Sequence, residues 1–288
     1  MTAIYKRELK AYFHSMIGYV IIAFLLALTG IYFMAYNLSY GYPYFSYVLS
    51  GITFTFLIIV PMITKRSFAE EKKSRTDQLL LTAPISLFKI VMGKYLAMVT
   101  ILAIPCAVYL IYPWIIRAQG TAYIVVDYLS IMVFFLLGCV YIAIGMFVSS
   151  LTESQIIAAV GTVGILITLY LWSGIVDFLP ASAMANVFGV VLILSLLVLG
   201  VWKMTQNWMI CTVLELAVFI GNGIAYALKQ EAYENLLGNI CGKLNLLDTF
   251  SSISSNNLLD ISGIILYLSI IGFFVFLTME MIQKRRWS

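Results

Sequence analysis

Long apolar runs separated by short polar segments make up most of the chain. Each run is close to the ~20 residues that an α-helix needs to cross a bilayer. We place the runs at 17–36, 45–64, 95–116, 127–149, 155–176, 185–202, 209–228 and 261–281. The pattern therefore predicts an all-α polytopic membrane protein with about eight transmembrane helices. Because the run at 185–202 is the shortest, a second interpretation has six helices, with 185–228 as an interfacial or re-entrant insert.

The composition excludes a soluble protein. Hydrophobic residues make up 62% of the 288 residues and charged residues only 10%, whereas soluble domains are roughly a quarter charged. The apolar run after Lys10 continues to Tyr36 without a small-residue cleavage site. We therefore expect this run to be retained as a span rather than removed as a signal peptide.

The positive charges indicate how the spans are oriented. If the N-terminus is cytoplasmic, the inner loops hold every Lys and Arg except Arg117, Lys229 and Lys243. Cytoplasmic loops of membrane proteins carry such an excess, so both termini are predicted to be cytoplasmic. The net charge of +4 is modest and lies mostly on one side, so it indicates membrane orientation rather than nucleic-acid binding.

The longest polar interruption between two apolar runs is 65–94, which we predict to be a cytoplasmic hairpin. Its middle faces water, because a charge buried in hydrocarbon costs several kcal/mol, ~3 on insertion scales. From about 66 to 81 it has no Gly or Pro, and it carries opposite charges four residues apart, at Glu71 with Arg75 and at Lys73 with Asp77. These features predict a short helix that a partner could push on; the alternative is a solvated basic loop.

Two further segments have amphipathic patterns. Residues 3–14 interleave apolar side chains with Lys6, Arg7 and Lys10, which predicts a helix lying in the membrane interface within 1–16. Segment 229–260 has apolar residues at helical spacing and is expected to lie on the outer leaflet. The resulting organisation is an amphipathic interfacial helix at 1–16 and a transmembrane domain at 17–288, which includes the helix pair at 185–228 and the extracellular segment at 229–260.

The sequence contains no convincing catalytic or metal-binding pattern. There is one histidine and there is no CxxC pair, so neither an HExxH motif nor a His/Cys cluster can be built. The stretch Gly238–Lys243 superficially resembles a phosphate-binding loop, but it has one residue too few between its glycines and is followed by Leu244. We therefore expect that this chain is not an enzyme and holds no metal or cofactor.

Glu215 is an acidic residue inside a predicted span. A carboxylate at such a position is costly and often functional. The alternative is a protonated or hydrogen-bonded side chain paired with Asn207 or a neighbouring helix. If Glu215 is a proton site, the protein is a proton-coupled secondary carrier.

Four stretches resemble ABC-2 type permeases, the membrane subunits of type V ATP-driven exporters. The hairpin Glu70–Ser86 with Gly93–Lys94 is similar to their cytoplasmic signature, although Arg75 stands where the family often has Gly. Three other stretches resemble a branch related to gliding-motility ABC permeases: Lys6–Ser15, Ser149–Gln155, and the tail from Asp260 to Trp287. The resemblance implies an eight-helix variant of a six-helix core, in which 1–16 is the interfacial elbow and 185–228 is the extra helix pair.

The resemblance also implies a function. Such permeases dimerise, and each copy docks one ABC ATPase subunit that binds ATP and Mg, driving the export or movement of an amphipathic substrate across a bacterial plasma membrane. The implied docking residues are Glu70, Glu71, Arg75, Thr76, Asp77, Gln78, Leu79 and Leu80, and the implied elbow residues are Lys6, Arg7, Glu8, Tyr12 and Phe13. An alternative is an ATPase-driven mechanical transmitter that acts on an extracytoplasmic partner protein.

Overall fold

A computed structural model describes residues 1–76, 86–205, 207–228, 230–256 and 260–287, and within these residues the chain is helical with no strand. Seven helices in this part of the chain are long and apolar enough to cross a membrane. They are Ile17–Ser39, Ser46–Lys73, Leu87–Gln119, Ile124–Leu151, Ala183–Gly200, Cys211–Leu228 and Ile261–Arg285. The prediction of an all-α polytopic membrane protein is confirmed.

The described helices are numbered in chain order. The N-terminal half contains α1 (Thr2–His14), α2 (Ile17–Phe33), α3 (Ser46–Ile52), α4 (Phe56–Thr64), α5 (Ala69–Lys73), α6 (Leu87–Tyr109), α7 (Tyr112–Gln119) and α8 (Ile124–Leu151). The C-terminal half contains α9 (Gln155–Tyr170), α10 (Trp172–Asp177), α11 (Ala183–Thr205), α12 (Trp208–Leu228), α13 (Leu236–Gly242), α14 (Leu246–Asn256) and α15 (Ile261–Trp287). A π-helical segment, Met34–Ser39, continues α2, and 3₁₀ turns occupy Thr53–Thr55 and Gln230–Tyr233.

The predicted fifth span, 155–176, is divided in the structure. Helix α9 ends at Tyr170 and α10 begins at Trp172. The 16 residues of α9 rise about 24 Å at 1.5 Å per residue, which is short of the ~30 Å hydrocarbon core. This break is why the fifth apolar run is not among the seven long helices.

The chain forms two compact units. The first combines residues 1–170 with the C-terminal part from Leu246. Its centre is α8, in which most side chains are buried. Two glycines let neighbours approach α8 closely. A Cβ at Gly138 would lie 2.3 Å from Leu102 Cδ2, and one at Gly145 would lie 2.6 Å from Thr64 Oγ1.

Helix α14 packs into the core of the first unit. Leu246, Phe250 and Ile253, spaced by four and three residues, are buried, and the Tyr267 hydroxyl donates to the Leu246 carbonyl. The expectation that all of 229–260 lies on the outer leaflet was therefore wrong for this helix, because its apolar stripe is buried against protein instead of lipid. The earlier part of that segment belongs to the second unit.

The second unit, Leu171–Asn245, contains α11 and α12 packed side by side. Asn186 organises one end of this unit. Its amide nitrogen donates to the carbonyls of Pro180 (2.8 Å) and Ser182 (3.0 Å), and its amide oxygen accepts from the Leu237 N–H at 3.0 Å. The predicted helix pair at 185–228 thus lies in a compact unit with its own polar contacts.

Candidate functional site

A buried lysine of α6 connects three separate parts of the first unit. Only 2% of the Lys94 side chain is exposed, and its Nζ lies 2.9 Å from Glu71 Oε1 and 3.2 Å from Glu8 Oε1. The same ammonium donates to the Ser67 carbonyl at 2.7 Å and lies 5.1 Å from the centre of the Phe68 ring. Lys94 therefore holds α1 and the polar segment after α4 against α6.

Arg7 contacts the same two carboxylates from the solvent side. Its Nη2 lies 2.6 Å from Glu8 Oε1 and 2.8 Å from Glu71 Oε1, and about half of its side chain is exposed. We refer to Arg7, Glu8, Glu71 and Lys94 as the four-charge cluster. Its two cations balance its two carboxylates, as the burial of charges requires.

The cluster shifts the pKa values of two of its members. Burial raises the pKa of Glu8, but the nearby Lys94 and Arg7 outweigh burial and hold this pKa below its usual value. Burial lowers the pKa of Arg7, and the contacts with Glu8 and Glu71 more than reverse that effect. The carboxylate of Glu8 is thus stabilised in its charged form although it is mostly shielded from water.

Close packing brings α1 to α6. A Cβ at Gly93 would lie 3.1 Å from Ile4 Cγ2 and 3.3 Å from the Met1 carbonyl, so a larger residue there would displace α1. Farther along α1, the buried Tyr12 hydroxyl donates to the Ile63 carbonyl at 2.7 Å. These contacts fix α1 along α6 and to the end of α4.

Helix α8 holds the start of α5. The buried Ser149 Oγ accepts from the N–H groups of Phe68 and Ala69, both at 3.2 Å, and so satisfies two amides that a helix N-terminus leaves without partners. The Lys72 ammonium donates to the Ser150 carbonyl. The short helix is therefore fixed by α8 at its beginning as well as by Lys94.

A cleft of about 390 Å³ opens between α1 and the segment 66–76. Arg66 lies in its wall, with its Nε 2.6 Å from Glu70 Oε2. Ser74 and Thr76 lie at the same cleft, with their hydroxyl oxygens 3.0 Å apart. The cleft gives this end of the first unit a concave, polar surface formed around the four-charge cluster.

The structure corrects the predicted helix at 66–81. Helix α5 ends at Lys73, and Arg75 has a φ of 56°, in the left-handed region that favours glycine. The predicted Glu71–Arg75 pair is not formed, because Glu71 turns inward to Lys94 and Arg7 instead. The other predicted docking residues, Asp77, Gln78, Leu79 and Leu80, and with them the Lys73–Asp77 pair, lie outside the described residues.

The predicted elbow residues divide into two groups. Arg7, Glu8 and Tyr12 make the contacts given above, whereas Lys6 is exposed and Phe13 packs edge-on against Tyr19 at 5.0 Å. Two residues of this site, Lys94 and Ser149, are absent from the predicted set. Both stand in stretches that carry the family resemblance, and that was the only signal that could have identified them.

Glu215 belongs to the second unit and is half-buried between α11 and α12. The Ser195 hydroxyl of the neighbouring helix donates to its carboxyl group, in agreement with the hydrogen-bonded alternative. Among the described residues there is no group of three or more His, Cys, Asp or Glu side chains that could hold a metal ion.

Comparison with known families gives one result. Residues 3–281 match the sequence model described as "ABC-2 family transporter protein", which covers both units and nearly the whole chain. Searches of curated proteins and of solved structures gave no match. The match contains the four-charge cluster and the cleft, but it does not test the gliding-motility branch.

Proposed function

Since the chain belongs to the ABC-2 family of transporter proteins, we propose that it is the transmembrane permease subunit of an ATP-binding cassette transporter. A separate ATPase subunit hydrolyses ATP, and the permease pairs with a second permease copy to export or move an amphipathic substrate. The family's membrane components carry no ATPase activity of their own. Both termini and the segment 65–76 face the cytoplasm of a bacterium, and the protein lies in the plasma membrane.

The observation that carries this proposal is the attachment of α5 to both α1 and α6. A partner that displaces the segment 66–76 moves Glu71, and through Lys94 and Arg7 it moves α6 and α1 as well. Packed elements switch between arrangements rather than deform continuously, so a small movement at one end is transmitted. The four-charge cluster thus makes the docking segment, the elbow and the third apolar helix one mechanical body.

The docking surface is the exposed rim of the cleft together with the residues that follow it. Arg75 and Thr76 are exposed, and Thr76 lines the cleft. We assign the remaining contacts to Asp77, Gln78, Leu79 and Leu80. Binding by the ATPase is separate from coupling, because the exposed side chains contact the partner whereas the buried charges transmit the movement.

Co-purification tests the docking surface. The tagged chain is isolated in mild detergent from its host, and the proteins bound to it are identified by mass spectrometry. We expect a Walker-type ATPase with the wild type and its loss when Thr76, Asp77 and Gln78 are changed together to Ala. The control changes two exposed residues to Ala: Gln119 at the end of α7 and Thr121 shortly after it. Absence of an ATPase from both wild type and control would refute the proposal.

ATP-driven movement of substrate tests coupling. In the reconstituted complex we expect Glu71→Gln to leave the amount of bound ATPase unchanged and to reduce ATP-driven movement of substrate several-fold, because the neutral amide holds Lys94 and Arg7 less strongly. Ser149→Ala should act in the same direction by leaving the Phe68 and Ala69 amides without their partner. If both variants move substrate as well as the wild type does, the proposed mechanical role of this attachment is refuted.

A further inference from the structure

The second unit contains a cavity of about 240 Å³ between α11 and α12. Helix α11 contributes Val198, Leu199 and Trp202. Helix α12 contributes Trp208, Cys211, Thr212 and Glu215, which are spaced by three, one and three residues and therefore lie on one helix face. Each helix thus presents a continuous stripe to the same space.

The chemistry of the cavity wall is unusual for lipid-facing helices. Two indole rings, those of Trp202 and Trp208, meet edge to face with centroids 6.5 Å apart. Glu215 supplies the only carboxyl group among the described lining residues, and the remaining wall is almost entirely apolar. The Ser195 hydroxyl donates to this carboxyl from one side and holds it in place.

This combination selects one class of ligand. An aromatic face attracts a cation through its quadrupole, and tryptophan does so most strongly. A carboxylate attracts a cation further, and the apolar wall accommodates hydrocarbon attached to the charge. An anion would be repelled by Glu215. A neutral apolar ligand would cover the Glu215 carboxyl group without offering it an opposite charge or a hydrogen bond, which is costly.

We propose that the cavity between α11 and α12 is a binding site for a lipophilic ammonium ion, with its charge held by Glu215 and by the indole rings of Trp202 and Trp208. The ligand is either an amphipathic amine or the ammonium headgroup of a membrane lipid, since both present the same chemistry. The site lies wholly within the second unit, so it does not depend on the proposed coupling mechanism.

Binding of a defined probe tests the site. Radiolabelled dodecyltrimethylammonium is titrated into the purified full-length chain in maltoside detergent, which contains no ammonium group. Its competitor is the neutral analogue in which a quaternary carbon replaces the nitrogen. We expect saturable binding of one cation per chain and about tenfold weaker binding of the neutral analogue, as cation–π and carboxylate contacts of the usual strength imply. Equal binding of the two compounds by the wild type would overturn the proposal without any variant.

Variants then identify the groups responsible. Glu215→Gln keeps the size of the side chain and its hydrogen bond to Ser195, and we expect it to weaken binding of the cation, but not of the neutral analogue, about tenfold. Joint replacement of Trp202 and Trp208 by Leu should weaken binding by a similar factor. Trp114→Leu, which changes an exposed tryptophan of the first unit, is the matched control. Unchanged cation affinity in Glu215→Gln would also overturn the proposal.

Added lipid distinguishes the two sources of the ligand. Competition by phosphatidylethanolamine, but not by phosphatidylglycerol, assigns the site to a lipid headgroup. Lack of competition by either lipid, with retained binding of the probe, assigns it to a soluble amphipathic amine. The assay needs no ATPase, so its result and the result of the co-purification experiment are independent.

Discussion

Replacing Lys94 by Met is the sharpest test of the four-charge cluster. Methionine has a similar length and no charge, so it fills the space of the lysine stem but leaves Glu8 and Glu71 without their buried cation. It also removes the donor to the Ser67 carbonyl, which is 2.7 Å from Nζ. The change therefore isolates the charge of Lys94 from its volume.

The expected cost follows from the surroundings of the two carboxylates. Removing one member of a buried ion pair typically costs about 3–5 kcal/mol, because the other member stays buried without compensation. Here Glu8 and Glu71 retain 15% and 16% side-chain exposure, and Arg7 still contacts both. We therefore expect the low end of this range, about 3 kcal/mol. For a chain of this size, that corresponds to a fall of about 6–12 °C in the unfolding midpoint.

The assay is the thermal unfolding midpoint of the purified chain in detergent at neutral pH. Lys89→Met is the control, because Lys89 is an exposed lysine on the same helix, and its replacement should change stability by less than about 0.5 kcal/mol. A repaired variant carries Lys94→Met together with Glu8→Gln and Glu71→Gln. It should recover at least half of the loss, because the neutral amides no longer require a cation.

Two results would refute this reasoning. If Lys94→Met and Lys89→Met lower the midpoint equally, the ion pairs of Lys94 do not contribute to the stability of the fold. If the repaired variant is less stable than Lys94→Met alone, the loss does not come from uncompensated carboxylates. In the second case, the contact with Ser67 or the packing on Phe68 carries the energy.

Three further predictions concern single positions. The pKa of Glu8 is held below its usual value of 4.5, so the charged side chain stabilises the fold above about pH 4.5, and this stabilisation is lost as the pH falls through the lower folded-state pKa. When the unfolding midpoint is measured at decreasing pH, it should fall less in Glu8→Gln than in the wild type. At Arg75, where φ is 56°, Gly should be neutral or stabilising and Val should cost about 1 kcal/mol or more, measured by the same midpoint. Gly263→Ala should lower the free energy of unfolding by about 1–3 kcal/mol, because the added Cβ would lie 2.7 Å from Thr249 Cβ. Its control is Gly272→Ala on the same helix, where an added Cβ meets nothing within 4 Å, so this change should be neutral or stabilising.

Hydropathy predicts most of the helices, but it does not indicate that Lys94 is buried. The third apolar run begins at 95, which leaves Lys94 in the polar segment 65–94 that we expected to face water. In the structure α6 begins at Leu87, so Lys94 is two turns inside the helix, neutralised by Glu8 and Glu71. A hydropathy count cannot include compensation that comes from residues distant in the sequence.

The same limit explains the short α5 and the missed Ser149. Glu71 has a cation four residues away in Arg75, which favours a longer helix when only local pairs are considered. The buried contacts with Lys94 and Arg7 compete with that pair, and α5 ends at Lys73. Ser149 caps α5 from 80 residues away in the sequence, so no local pattern could indicate it.

Stability and coupling place different demands on the four-charge cluster. Apolar side chains of similar volume often stabilise a protein as well as a buried ion pair does, so stability alone does not explain why charges stand at this position. Charges differ from apolar contacts in direction: Lys94 must lie within reach of Glu8, Glu71 and the Ser67 carbonyl at once. Such a requirement fixes the position of α5 relative to α1 and α6, whereas apolar contacts do not depend on direction in this way. The segment that we propose receives force from a partner needs this fixed position, and the cluster provides it at the junction of the three elements.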